Sequence, residues 1–242
     1  MFNMKKILLA PLSIILWINF WTLSTLSISL LIFLALFIPK KYYNPLVRLV
    51  CRILSYSVLI FPVLKTDVSK DFPFPVIYVA NHVSFFDLFI SGTALPGYPR
   101  GLELKEHFSK PIYGWFITKF GQIPIDNKNP AKTRTSLNEA SNILLRKERN
   151  LLVMPEGTRT KTGRLGKFKF GAFFISKKTG VPIIPVIYKN LYELNNRNSL
   201  IIKPGILKVY LLEPVYPEKF DSEDEMAEYV RTIMQNKLDE KI

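Results

Sequence analysis

The 242-residue sequence predicts an α/β fold, a mixed sheet flanked by helices, preceded by a hydrophobic helical membrane anchor. Two observations carry this reading. Beyond Pro75, short apolar runs alternate with helical stretches, the pattern of a sheet layered with helices. Ahead of it, no residue from Ile7 to Ile38 is charged.

The uncharged run would reach about 48 Å as a helix, against a hydrocarbon core of roughly 30 Å. It is longer than the apolar region of a secretory signal and shows no small-residue cleavage site, so it reads as retained. Pro39 ends it, and Lys40 and Lys41 mark an interface. The stretch from Asn44 to Leu64 reads as amphipathic helix, with Arg48 and Arg52 one turn apart and Leu46, Leu49, Val50, Ile53 and Leu54 at helical spacing. Two geometries stay open: a bilayer span, or a hairpin half-sunk in one leaflet. If the first helix spans, the excess of basic residues after it over Lys5 and Lys6 before it places the rest of the chain on the cytoplasmic side.

The polar, proline-punctuated segment from Lys65 to Phe74 marks the division between anchoring helices (residues 1–66) and an α/β domain (residues 67–242). Val76–Val79, Gln122–Ile125, Leu151–Met154, Ile183–Ile187 and Ile206–Leu212 read as strands. Pro130–Arg149 reads as a helix with Asn129 as its cap and Pro130 in its first position. Phe168–Thr179 reads as another, closed by Gly180. Ser222–Glu225 is a capping-box signature for a last helix whose inner face carries Val230, Ile233, Met234 and Leu238.

Thirty-three Lys and Arg against nineteen Asp and Glu give a formal charge of +14, which suits a polyanionic partner. The apolar N-terminus favours an anionic phospholipid membrane, and the sequence lacks the zinc-finger spacings and arginine-rich helices expected of a nucleic-acid binder. A single cysteine, Cys51, excludes an internal disulfide and a multi-cysteine metal cluster; among apolar neighbours it reads as inert packing.

Two motifs carry chemistry. In Asn81-His-Val-Ser-Phe-Phe-Asp87 a histidine leaves a buried strand five residues before an aspartate. Along a continuous helix such residues diverge by about 140°, so His82 and Asp87 meet only across a tight turn, which a helix cap at Ser84 would provide. Asp87 would then fix the imidazole tautomer and support the imidazolium formed on proton uptake. The same spacing is compatible with a plain helix cap over a packed histidine.

The second motif, Pro155-Glu-Gly-Thr-Arg159, also follows a strand. Gly157 permits a sharp turn that lets Glu156 and Arg159 share a space, and arginine suits a phosphate. Arg159, Lys161, Arg164, Lys167, Lys169, Lys177 and Lys178 follow with no acidic interruption, interleaved with Phe168, Phe170, Phe173 and Phe174. That mixture suits phosphate headgroups beside acyl chains, or a solvated basic face over a helix core. Lys105 is a candidate second phosphate contact or a surface lysine. His107 has no recognisable carboxylate partner and reads as structural.

Together these segments resemble the glycerolipid acyltransferase family whose best-known members are 1-acyl-glycerol-3-phosphate acyltransferases. Asn81–Asp87 resembles the family's first block, Lys105 with Gly121–Asp126 its second, Met154–Thr160 its third and Val181–Pro185 its fourth. Asn127 departs from the arginine usual after the second block's aspartate. The resemblance implies transfer of an acyl chain from acyl-CoA or acyl-ACP to the sn-2 hydroxyl of lysophosphatidic acid, giving phosphatidic acid, with no cofactor and no metal. On this reading His82 and Asp87 are catalytic. Lys105, Glu156, Gly157, Thr158 and Arg159 bind substrate, with Glu156 orienting Arg159 or the headgroup, and Asn81 and Ser84 support the motif. Transfer to another lysophospholipid or to glycerol 3-phosphate, thioester hydrolysis, and a non-catalytic lipid-binding module are the alternatives.

Overall fold

The computed structural model describes residues 4–39, 42–66, 68 and 73–240. Lys40 and Lys41, the side chains of Lys5 and Lys6, and much of the expected Lys65–Phe74 boundary lie outside the described residues.

Seven strands form one mixed sheet: β1 (Ile60–Thr66), β2 (Ile77–Ala80), β3 (Arg100–Leu104), β4 (Ile123–Ile125), β5 (Leu151–Val153), β6 (Ile183–Lys189) and β7 (Gly205–Leu211). Their order is β1-β7-β6-β2-β5-β3-β4, with every junction parallel except β6 against β7. The central strands β2, β5 and β6 are buried at every position, which is why they read as unbroken apolar runs.

The sheet's pleat divides the interior into two cores. Tyr78, Ala80, Ile184 and Val186 face helices α1 (Met4–Leu34), α2 (Tyr43–Ser57), α3 (Asp87–Ala94) and α4 (Tyr113–Lys119). Ile77, Val79, Ile183 and Ile187 face α5 (Pro130–Leu145), α6 (Gly171–Thr179) and α8 (Glu223–Asp239). A short helix, α7 (Leu191–Leu194), follows β6.

The expected caps form. Asn129 Oδ1 accepts the Lys132 N–H at 3.1 Å, Gly180 closes α6 in the left-handed region, and Ser222 Oγ accepts the Glu225 N–H at 3.2 Å. The inner face of α8 packs as expected, with Val230 and Met234 fully buried.

Helix α5 ends at Leu145, not Arg149, and three further boundaries differ from the sequence reading. The stretch Asn44–Leu64 is not one helix: α2 ends at Ser57, Leu59 takes a φ of 56°, and the chain reverses into β1. A division at residue 66 groups β1 with the anchoring helices, but its pairing with β7 from Ile60 to Thr66 puts it in the sheet. Helix α6 starts at Gly171, not Phe168, so a long loop runs from β5 to α6.

Helix α1 is apolar all round, yet one stripe faces the protein. Ser13, Leu16, Phe20, Ser24, Ile28, Leu31 and Ala35 are buried, while Ile14, Ile15, Ile18, Leu26, Leu30 and Phe33 are exposed. Polar ties run its length: Ser13 Oγ accepts the Ile202 N–H at 3.0 Å, Trp17 Nε1 donates to Leu200 O at 2.8 Å, and Asn19 Nδ2 donates to Ser57 O at 2.9 Å. Beyond its C-terminal end, Tyr43 Oη donates to Ala35 O at 2.7 Å. The helix therefore lies against the domain over about 33 Å of its axis. Arg48 of α2, counted among the flanking basic residues, turns inward and caps α3 through the carbonyls of Thr93 and Leu95. Cys51 is buried beside Gly92, and burial pushes its thiol up to about 12, consistent with inert packing.

Candidate active site

Strand β2 delivers residues 81–86 to the end of the sheet, where a turn, not a helix, separates His82 from Asp87. Asp87 opens α3 and is almost fully buried, and its carboxylate organises the turn. Oδ2 lies 2.6 Å from His82 Nδ1 and accepts the Val83 N–H at 2.8 Å, while Oδ1 accepts the Ser84 N–H at 3.0 Å. A single carboxylate thus holds the ring and the backbone that carries it. With Nδ1 engaged, Nε2 is the ring nitrogen left for a substrate, and the partly exposed ring lines the large cavity described below.

The expected cap at Ser84 takes a different form. Ser84 Oγ accepts from the Phe86 N–H, two residues on, and donates to Asn195 Oδ1 at 2.6 Å; the cap position of α3 is Phe86. Asn81 is tied across the sheet, its Oδ1 accepting the Tyr188 N–H at 2.8 Å and its Nδ2 donating to Tyr188 O at 3.4 Å. Both side chains fix the turn; Ser84 also borders the large cavity beside His82, and Asn81 does not. Behind them, the hydroxyls of Tyr188 and Ser91 lie 2.6 Å apart, and Ser91 Oγ donates to Asp87 O.

The second motif turns at Gly157, whose φ of 67° requires the freedom of glycine. Among the described residues, Glu156 makes no hydrogen bond or ion pair to Arg159. Its Oε1 accepts the His82 N–H at 2.9 Å and its Oε2 accepts the Gly166 N–H at 2.9 Å, so it joins the histidine turn to the loop before α6. Burial raises its carboxyl above the ordinary range, against the opposing pull of those two N–H donors. Thr160 completes the attachment, its N–H donating to His82 O at 2.8 Å.

His82, Asp87, Glu156, Gly157 and Arg159 line one cavity of about 1130 Å³. The guanidinium of Arg159 has no hydrogen-bond or ion-pair partner among the described residues. Lys110, Lys167 and Lys169 also line the cavity. Its walls are otherwise largely apolar, built from Phe20, Trp21 and Ile28 of α1, Phe85, Leu88 and Phe89, and Leu102, Ile112 and Ile125. Such a space suits a long alkyl chain with an ionic head.

Four expectations need correction. Lys105 stands outside the cavity lining and is ion-paired with Asp126 at 2.7 Å, so its ammonium is already engaged. Thr158 is exposed and lies off the cavity. Lys177 and Lys178 are structural: the first donates to the carbonyls of Pro217 and Phe220, the second to Asn138 Oδ1. His107 does have a carboxylate partner, Glu103, and both line the cavity beside Tyr113. Their separation of four residues was a visible signal. Among the interleaved aromatics, Phe173 is core and Phe168 stacks on it with centroids 6.3 Å apart, while Phe170 stands exposed at the cavity.

A histidine braced by a buried aspartate shares a largely apolar cavity with an arginine whose guanidinium has no partner among the described residues, an arrangement of the kind an acyl-transfer site requires. An acyltransferase family model matches residues 66–189, and the chain belongs to that family. It is 33% identical over 171 residues to a chloroplastic 1-acyl-sn-glycerol-3-phosphate acyltransferase from Brassica napus, covering 68% of this chain and 49% of that one. It is 32% identical over 170 residues to the Saccharomyces cerevisiae enzyme of the same name, covering 69% of this chain and 56% of that one. With the Salmonella typhimurium enzyme of that name the identity is 30% over 166 residues, covering 68% of this chain and 67% of that one. The chain thus spans about half the length of the Brassica relative. Its fold matches the crystal structure of the 1-acyl-sn-glycerophosphate acyltransferase PlsC from Thermotoga maritima with a TM-score of 0.79 and 24% identity, covering 93% of this chain and 94% of that one.

Proposed function

We propose that this protein transfers an acyl chain from an acyl thioester to the sn-2 hydroxyl of lysophosphatidic acid, yielding phosphatidic acid. The observation that carries the proposal is the placement of His82, Asp87 and Arg159 on one cavity with apolar walls. The named activity of the plant, yeast and bacterial relatives supports it.

His82 Nε2 takes the proton of the acceptor hydroxyl as that oxygen attacks the thioester carbonyl. The C–O bond forms, the tetrahedral centre collapses, the C–S bond breaks, and the imidazolium returns its proton to the departing thiolate. Asp87 holds Nδ1 and stabilises the imidazolium, assistance worth roughly 10²–10⁴ in rate. Arg159 binds the acceptor phosphate and delivers the hydroxyl to the base. Acyl-CoA and acyl-ACP present the same thioester, and either serves as donor.

The enzyme works on a membrane. The long lateral attachment of α1, with its opposite face exposed and apolar, supports insertion into one leaflet by the helical face, not an isolated span. The charge of +14 supports an anionic surface, as on the cytoplasmic leaflet.

The test is mass spectrometry of products after incubation with acyl-CoA or acyl-ACP and a panel of lysolipids and glycerol 3-phosphate. Phosphatidic acid as the dominant product is expected. Free fatty acid released equally without any acceptor, or preference for another acceptor, would overturn the assignment.

A further inference from the structure

His82 shares its cavity with a second histidine that a carboxylate braces. His107 Nδ1 bonds to Glu103, and both side chains border the same space and are partly exposed. Tyr113 stands beside them, its ring edge-on to His107 with centroids 6.1 Å apart. Burial, with the Glu103 carboxylate close by, keeps the Tyr113 phenol protonated. With Nδ1 engaged, His107 Nε2 has no hydrogen-bond partner among the described residues.

This pair serves a different part of the substrate from His82. Strand pairing sets Gly101 level with Tyr78 through Leu152 of β5, so Glu103 stands level with Ala80, two strand spacings or about 10 Å away. Leu102 packs on the core shared with α5 and α6, so by strand alternation Glu103 points to the other face of the sheet, where α1 and α4 lie. On that face the cavity is bordered by Phe20 and Ile28 of α1 and by Ile112, surroundings that suit an alkyl chain and not a headgroup. Ser24, on the buried stripe of α1, borders the cavity too, and its hydroxyl has no hydrogen-bond partner among the described residues. Bare methylenes laid along this wall would strip water from His107 Nε2 and Ser24 Oγ and offer nothing in return. A hydroxyl on the chain removes that cost, because it can donate to a neutral Nε2, accept from a protonated one, and do either with serine.

We propose that the Glu103–His107 pair recognises a hydroxyl group on the donated acyl chain, so that the protein prefers hydroxylated acyl thioesters to unsubstituted ones. The proposal rests on the acyl-transfer reading and deepens it by naming the class of donor. His107 touches the chain and moves no proton in the reaction; Glu103 is a positioning residue that holds the ring.

The experiment measures binding and turnover separately. Palmitic acid and its hydroxylated counterparts, with the hydroxyl near the carboxyl end or at mid-chain, compete with a fluorescent fatty acid for wild type, His107→Leu, His107→Gln and Glu103→Gln. Thermal melting first shows that each variant is folded. Transfer to lysophosphatidic acid from the corresponding acyl-CoA thioesters is then followed with the same four proteins. Wild type should bind at least one hydroxylated acid about fivefold to fiftyfold more tightly than palmitic acid, with the same preference in kcat/KM, since a site built to meet a hydroxyl discriminates against the chain lacking it. His107→Leu should bring that ratio to about one. His107→Gln, whose amide nitrogen stands near the place of Nε2, should keep part of it, and Glu103→Gln should narrow it by loosening the ring. Equal binding of plain and hydroxylated acids by wild type would overturn the proposal, as would a preference that survives His107→Leu. A binding preference that depends on His107, with no acyl transfer from any donor, would uphold the site while refuting the acyltransferase reading; transfer with no preference would do the reverse.

Discussion

The main chain of His82 is held on both sides by the second motif: its N–H donates to Glu156 Oε1 at 2.9 Å, and its carbonyl accepts the Thr160 N–H at 2.8 Å. The two motifs thus form one unit through backbone bonds, and the imidazole inherits its position from Glu156 as much as from Asp87. Glutamine at 156 can accept one of the two N–H groups but presents an amide donor to the other. Glu156→Gln should therefore lower kcat by up to about a hundredfold, the cost of misplacing a reacting group. The KM for lysophosphatidic acid should hold. Steady-state kinetics distinguish this from direct substrate binding, which would raise KM.

Asp87 has three hydrogen-bond partners and asparagine cannot serve them all. An amide oxygen can face the ring or the turn, and the amide nitrogen then meets an N–H. Asp87→Asn should lower turnover about 10³–10⁴-fold, as loss of the orienting carboxylate does in hydrolytic triads. It should also destabilise the fold by about 1–3 kcal/mol through the unmet buried N–H groups. Thermal melting alongside kinetics checks both effects.

Lys105 and Asp126 give a pH test. The hydrogen bond from Lys105 holds the Asp126 carboxyl below its ordinary value of 3.8. A carboxyl whose pKa falls on folding adds stability above its unfolded value and loses it as pH drops through the folded one. Wild type and Lys105→Met should therefore differ in melting temperature near neutral pH and converge in acid, below the carboxylate range. The KM of Lys105→Met for lysophosphatidic acid should match wild type.

Ile15, Ile18 and Leu26 lie on the exposed face of α1, away from the cavity. Each apolar side chain taken into a leaflet contributes about 1.5–3 kcal/mol. Replacing all three by Asn should reduce cosedimentation with anionic phospholipid vesicles more than a hundredfold while circular dichroism is retained. Undiminished partitioning would show that another surface makes the attachment.

The parts of this molecule that were legible in the sequence are those fixed locally. The buried strands β2, β5 and β6 show as apolar runs, and the caps at Asn129 and Ser222 and the pairing of His82 with Asp87 join residues three to five apart. Strand β1 was hidden because Leu59 makes the reversal after α2 without a glycine or proline to announce it. Strand β3 carries Arg100, Gly101 and Glu103 and is only partly buried, so it lacks the apolar run that marked its neighbours. The role of Glu156 was invisible because its partners are backbone N–H groups, which every residue but proline owns. Lys105 was misjudged because Asp126, 21 residues away, reaches it only in the folded chain. In α1, no residue from Ile7 to Leu34 is charged and the polar ones fall on both faces, so the stripe that packs against the domain could not be told from the face that does not.

The most direct measurement compares acyl transfer to lysophosphatidic acid by wild type and His82→Ala on anionic vesicles, with phosphatidic acid quantified by mass spectrometry. With His82 as the base, product formation should fall by about 10²–10⁴ while melting temperature and vesicle binding stay at wild-type values. A folded, membrane-bound His82→Ala protein that makes phosphatidic acid at nearly the wild-type rate would contradict the account.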